Sequence, residues 1–453
     1  MLTQVTKETI IGGTGMEKTI IYDCIGVGIG PFNLGLAALL DTQKSMQALF
    51  FDKEEGFNWH PGMLIEQSDL QVPFIADLVT FADPTSKYSF LNYVHKQNRL
   101  YQFYFFRRFD IPRRDYNLYA KWVVDQLPSC HFGKEVIDVS EDNHSGEMVY
   151  SVKVRDVITK DTNTYFSRHI VLGTGNVPFI PEKLKKGSRN NVVHTSEYLP
   201  HAKRIKDSGS IVVVGSGQSA AEVFYELLED QKHYDYTLTW YTRAATFSQL
   251  EMAKLGQEVF SPEYVRYFHG LDYEKRKEAL ERLHTVRNGV DRDTLVRIYD
   301  LLYNRSVEGR DKKITIQPLT EVEEIVDNGL EVELTCLQWE KGEHFRREAE
   351  KVVLATGYKP HIPGWIWDMK DKLVWESEKE YKVDERFRLV WKETRIHQIF
   401  VSTNLEHSHG TAATNLSLAV MRNQIIINEI AKQEIYPITN DAVFQQFMPD
   451  VEI

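Results

Sequence analysis

Two stretches of this chain repeat one design, and together they restrict the fold more than any other feature. The first runs from Ile20 to Leu40 and reads as a buried strand, a glycine turn and an apolar helix. Gly26 and Gly28 occupy the first two slots of a dinucleotide fingerprint. Gly26 permits the tight turn, and Gly28 lets the backbone approach a pyrophosphate seated on the helix N-terminus. Pro31 stands in the third slot, where a missing N–H costs little in a first helical turn. The second stretch, Ser210 to Phe224, fills all three slots with Gly215, Gly217 and Ala220. A chain with two such units is built to hold two nucleotides. The expected fold is α/β: two interleaved Rossmann-like nucleotide-binding domains with a small, mostly helical substrate region.

A length of 453 residues suits this plan. The expected division is a disordered leader at 1–16 and a first domain over 17–200. A second domain spans 201–350 with a helical insertion at 249–310, and a return to the first domain with substrate-binding helices covers 351–453. The net charge of −11 argues against nucleic acid or an anionic membrane as partner. Three scattered cysteines offer neither a CxxC pair nor a zinc spacing, which fits a cytoplasmic chain and excludes a disulfide reductase. No apolar run approaches a membrane span, and no metal site is expected.

Ala48 to Asp52 reads as a second strand ending in an acid, and Asp52 stands where such folds bond a ribose hydroxyl; a solvated loop acid is the other reading. Trp59 and His60 precede a Pro-Gly turn. Gln71 reads as a buried amide in an apolar segment. Arg107, Arg108, Arg113 and Arg114 read as a solvated basic face of helices over 81–124. Residues 131–172 alternate like antiparallel strands and end in Gly173-Thr-Gly175, and residues 179–208 read as a polar connector. The strand Tyr236 to Arg243 ends in Arg rather than an acid, which favours NADPH over NADH. Residues 352–357 repeat the strand-then-Thr-Gly ending, at Thr356. His407 and His409 suit a cofactor-contacting turn better than a metal pair, because no third ligand is evident.

These motifs resemble the flavin-dependent N-hydroxylating monooxygenases of siderophore biosynthesis, the class that includes lysine N6- and ornithine N5-hydroxylases. The resemblance rests on Gly26 to Leu34, Trp59 to Met63, Asp77-Leu-Val79, Asp83 to Ser86, Tyr88 to Tyr93, Gly215 to Ala220, Ala355 to Tyr358 and His409-Gly410. It implies FAD at the first unit and NADPH at the second. It also implies a C4a-hydroperoxyflavin, formed with O2, that passes one oxygen to an amine nitrogen. Position by position, the resemblance places Gly26, Gly28, Gly30 and Pro31 at the FAD pyrophosphate, and Trp59, His60 and Gln71 near the isoalloxazine. His409 and Leu416 fall on its far side. Gly215, Gly217, Gln218 and Ser219 fall at the NADPH pyrophosphate, and Arg243 at the adenosine phosphate. Asn288 falls near a residue that touches both nicotinamide ribose and substrate, and Ser417 near the substrate amine. Asn288, Gln71 and Ser417 are therefore the candidate catalytic residues. A homotetramer is also implied.

One departure bears on substrate. Amino-acid hydroxylases of the family carry a Lys, paired with the substrate carboxylate, where this chain has Ala76; where the ornithine enzymes have Asn, it has Ser261. An unpaired, desolvated carboxylate costs several kcal/mol. The expected substrate is therefore an aliphatic diamine, putrescine or cadaverine. L-lysine or L-ornithine hydroxylation is the alternative, and a non-catalytic flavin- or NADPH-binding sensor the second.

Overall fold

The computed structural model describes residues 20–449 apart from 145, 186–189, 308 and 310–312; the expected leader at 1–16 lies outside the described residues. Two parallel sheets organise the chain, as the paired glycine turns imply. In the first, the parallel strands lie in the order Cys130–His131, Ala48–Phe51, Ile21–Val27, Thr162–Leu172 and Ile399–Val401. Thr162–Leu172 is long enough to fork. Its first half pairs antiparallel with Glu147–Asp156, which pairs in turn with Lys134–His144, and its second half pairs with Ile399–Val401.

The second sheet is wholly parallel, in the order Val192–His194, Lys351–Leu354, Ser210–Val214, Thr237–Tyr241 and Ile314–Gln317. Its strands are β-branched and apolar because both faces are covered, one by helices and the other by a three-stranded meander. This sheet corrects the boundaries expected at 200 and 350. The register of Val192–His194 on Val352–Leu354 carries both segments into the second sheet. The supposed connector 179–208 thus contains a sheet strand as well as the helix Tyr198–Lys206. A meander of Thr320–Asp327, Val332–Gln338 and Glu343–Ala349 flanks this sheet.

The chain passes between the two sheets twice, just after each Thr-Gly loop. The crossing strands, Asn176–Pro178 and Tyr358–Pro360, pair antiparallel with each other. Thr174 Oγ1 donates to the His361 carbonyl at 2.9 Å, and Thr356 Oγ1 donates to the Phe179 carbonyl at 2.5 Å. Each Thr-Gly loop therefore grips the opposite crossing.

Candidate active site

Both glycine turns are shaped by the loop that follows a neighbouring strand. At Gly28, φ is +88° and an added Cβ would lie 2.5 Å from the Gly173 carbonyl oxygen. At Gly215, φ is +148° and an added Cβ would lie 2.5 Å from the Ala355 carbonyl oxygen. Only glycine satisfies either place. Beyond each turn the cradle is open: an added Cβ at Gly30 or Gly217 meets nothing within 4 Å. No side chain caps the helices Pro31–Leu40 and Gln218–Asp230, so their first N–H groups are left to an anion. These are the features that two dinucleotide pyrophosphates require, and the residues present fit both groups.

The first turn is clamped by Asn33, which is fully buried in an otherwise apolar helix face. Its Nδ2 donates to the Gly28 carbonyl at 2.9 Å and to the Val171 carbonyl at 3.3 Å, and its Oδ1 accepts from Ser402 Oγ at 2.9 Å. One side chain thus ties the turn to two further strands of the sheet. Asp52 holds the same turn from the other side, accepting from the Ile29 N–H at 2.7 Å.

An aromatic ladder crosses from one unit to the other. Tyr116 meets Trp59 at 5.2 Å, Trp59 meets His60 at 4.9 Å, His60 meets Tyr358 at 5.8 Å, and Tyr358 meets His194 at 5.4 Å. His194 Nδ1 accepts from the Ser196 N–H, which leaves Nε2–H to donate to the Gly357 carbonyl at 3.1 Å. Burial holds this imidazole below its usual range, and it is neutral.

Gln71 departs from expectation. In the strand Asp69–Pro73 the side chains alternate, so Leu70 is buried and Gln71 is exposed. Arg113 departs as well. Arg107, Arg108 and Arg114 are exposed, but Arg113 is three-quarters or more enclosed and bonds both Glu222 oxygens, at 2.8 and 2.9 Å. It also donates to the Met63 carbonyl at 2.8 Å. Glu222 lies on the helix that follows the second glycine turn, so this buried pair fastens one unit to the other.

Gln218, at the start of that helix, is the hub of the same network. Its Nε2 lies 3.0 Å from Glu222 Oε1 and 3.0 Å from Asp291 Oδ2, and its Oε1 accepts from the Asp291 N–H at 2.8 Å. Its side chain is thus occupied, and the backbone of the turn is what remains for a pyrophosphate. Asp291 caps the helix Arg292–Ser306 and follows Asn288, which is exposed. Ser219 is half-buried beside Gln218.

Arg243 is exposed just past the strand Thr237–Tyr241, in a pocket of about 390 Å³ that it shares with Ser216, His284, Glu321 and Trp339. Trp339 Nε1 donates to the Arg243 carbonyl at 2.8 Å and fixes the backbone there. The sequence reading missed Trp339 and His284.

The remaining candidates lie on the wall where the returning chain meets the first unit. Ser261 is buried and caps the helix Pro262–His269 through the Tyr264 N–H. That helix packs on the Thr411–Thr414 turn, just ahead of Leu416 and Ser417. Ser417 is half-buried and bonds Asn415 Oδ1 at 2.8 Å. Ala76 is buried. The adjacent Asp77 accepts four hydrogen bonds, from Val79, Phe90 and twice from Thr80, which fix the segment that carries Ala76.

His407 bonds the Tyr381 carbonyl at 2.9 Å, while His409 turns inward, stacked on Phe387 at 4.4 Å. His409 Nδ1 meets Ser408 Oγ at 2.8 Å, and its Nε2 is buried without a partner. Among the described residues, no cluster of three or more His, Cys, Asp or Glu could hold a metal ion.

Burial pushes His169 down to about 3 and holds His409 well below its ordinary range. Both folded values lie below the unfolded value of about 6.5. The stability each neutral ring contributes is therefore present above about pH 6.5 and is lost as pH falls below it, toward about 3 for His169. The melting temperature is expected to hold near pH 7.5 and to drop as pH is lowered from about 6.5 to 5, with stability lost by at most about 1.4 kcal/mol per pH unit per histidine. Thermal melts across that range check this, and an unchanged or rising melting temperature would contradict it.

Two open pyrophosphate cradles, facing strand-end loops and a paired crossing define a protein of the two-dinucleotide flavoprotein class. Residues 20–360 match the L-lysine 6-monooxygenase/L-ornithine 5-monooxygenase family, and the chain belongs to it. It is 38% identical to the putrescine N-hydroxylase of Shewanella oneidensis, over 96% of this chain and 85% of that one. The FAD-bound structure of the cadaverine monooxygenase of the desferrioxamine pathway of Erwinia amylovora superposes with a TM-score of 0.90. That match is 36% identical and covers 96% of this chain and all of the other. The Kutzneria ornithine N-hydroxylase, solved with reduced FAD, NADP+ and L-ornithine, gives a TM-score of 0.85 at 26% identity, over 91% of this chain and 99% of that one.

Proposed function

We propose that this protein N-hydroxylates one primary amine of an aliphatic diamine, putrescine or cadaverine, using FAD, NADPH and O2, and so supplies a hydroxylamine for siderophore assembly. The observation that carries the substrate is Ala76: small, buried and uncharged where the amino-acid hydroxylases resembled here have their carboxylate-pairing cation. The bases of residues 81–114 are engaged elsewhere. Lys87, Arg99, Arg108 and Arg113 are each tied to an acid, and Lys96, Arg107 and Arg114 point to solvent.

FAD belongs with the seven-stranded sheet, at Gly26, Gly28, Gly30 and Pro31. Trp59, His60, Gln71, His409 and Leu416 are assigned around it, Asp52 as the acid of that turn, and Thr356 to cofactor binding at the second strand end. NADPH belongs with the five-stranded sheet, at Gly215, Gly217 and Ser219, with Arg243 for the 2′-phosphate; Gln218 orders the turn. Once bound, the flavin supplies the oxygen-transfer chemistry and the nicotinamide the hydride.

The chain's own residues do the rest. The aromatic ladder and the Asn33 clamp fix the turn and the ring environment. Buried Ala76 and Ser261 and half-buried Ser417 are assigned to exclude water and position the amine, and exposed Asn288 to meet the nicotinamide ribose and the substrate. Only a neutral amine attacks, and burial there lowers its pKa toward that form. Among the described residues no helix is long and apolar enough to cross a membrane. A cytoplasmic location and a homotetramer are assigned from the family resemblance.

The test is hydroxylamine formation by FAD-loaded protein and NADPH on putrescine, cadaverine, ornithine and lysine. A diamine is expected to give the highest kcat/KM. Preference for an amino acid overturns the substrate assignment, and NADPH oxidation unaffected by any amine overturns the reaction.

A further inference from the structure

The seven-residue helix Leu100–Phe106 contains no buried residue, and no side chain caps its start. A helix this short is not stable on its own in water, yet its apolar side chains face outward. Tyr101 is 81% exposed, Phe105 67% and Tyr104 65%, and Phe109, just beyond, is 68% exposed. Beside this ridge lies an apolar groove of about 410 Å³, lined by Phe74, Leu91, Leu100, Phe103 and Phe109. Contiguous apolar surface of this extent marks a binding face rather than ordinary exposure.

We propose that this face is where two copies of the chain meet about a two-fold axis, the ridge of each entering the groove of the other. A patch that carries both knob and groove is self-complementary, which is what an isologous contact needs. Its aromatic and arginine content is that of an interface core. The exposed parts of Leu91, Leu100, Tyr101, Tyr104, Phe105 and Phe109 offer on the order of 700 Å² per chain, close to the ~800 Å² each partner contributes to a standard interface. Arg108 beside the groove is neutralised by Asp69 and Asp110, so the face offers a matching apolar surface rather than a strong cationic site.

The face also reaches the site. Phe103 packs on Phe74 at 5.0 Å and on Phe90 at 5.7 Å; Phe74 lies two residues before Ala76, and the Phe90 N–H bonds Asp77. Association therefore steadies the segment that carries Ala76. The inference rests on the homo-oligomer reading and not on the substrate.

Sedimentation of FAD-loaded wild type, Phe105→Asp and a Leu330→Asp control tests it, with vesicle flotation of wild type on phosphatidylcholine. Leu330 is 88% exposed and lies far from this helix in sequence. Wild type is expected to sediment as a dimer or tetramer. Phe105→Asp should halve that mass while keeping its FAD content and melting temperature, and should raise the KM for the amine more than it lowers kcat. Leu330→Asp should leave the mass unchanged. A monomeric wild type, a Phe105→Asp variant of unchanged mass, an equal loss of mass in the control, or wild type floating with the vesicles would each overturn the proposal.

Discussion

Replacing Ala76 with lysine is expected to lower kcat/KM for putrescine and cadaverine by about 100-fold, or ~2.7 kcal/mol of transition-state stabilisation. The new ammonium would stand beside the distal ammonium of the bound diamine. Two like charges about 4 Å apart at an effective dielectric of ~20 repel by roughly 4 kcal/mol, more than enough for that loss. Ala76→Met separates charge from bulk, since it fills similar space without the cation and carries the overpacking penalty of ~1–3 kcal/mol by itself. Steady-state kinetics on both variants, with FAD content and melting temperature as controls, gives the comparison. A lysine variant that loses no more diamine activity than the methionine variant would remove position 76 from the substrate site.

The second large effect is expected at the Arg113–Glu222 pair. Glu222→Ala leaves a guanidinium enclosed without its carboxylate, and breaking a buried pair in this way costs about 3–5 kcal/mol. Arg113→Met with Glu222→Leu removes both charges and should recover most of that loss, because well-packed apolar replacements of buried pairs are often neutral. Urea denaturation of the single and double variants measures the coupling. Flavin reduction by NADPH, followed in a stopped flow, is expected to slow about tenfold in Glu222→Ala and to stay slow in the double variant. Both variants remove the Glu222 acceptor of Gln218 Nε2 and leave Gln218 to Asp291 and Thr294, so the turn is less firmly held. Recovery of stability together with the reduction rate would mean that the pair contributes rigidity alone.

Much of this architecture is written in local sequence. A glycine turn, its strand and its helix are contiguous, so Gly28 and Gly215 could be read in their own neighbourhoods. The Thr-Gly strand ends could be read in the same way, and they proved to be the surfaces those glycines touch. What escaped depends on residues far apart in the chain. Arg113 reads as one of four surface arginines until Glu222, more than a hundred positions away, is seen against it. Val192–His194 reads as part of a connector because its partner is Lys351–Leu354. Asn33 offered a signal that went unused, a lone amide among leucines and alanines, and such a residue in a packed helix must find partners. Gln71 misled because an apolar setting in sequence does not say which way a strand residue faces.

The two crossings between the sheets could have been independent linkers, each free to bend about its own bonds. Paired side by side in opposite directions, and pinned at their ends by Thr174 and Thr356, they behave as the spine of a book. Neither leaf can turn on one crossing alone, because any relative movement of the two sheets has to bend both crossings together.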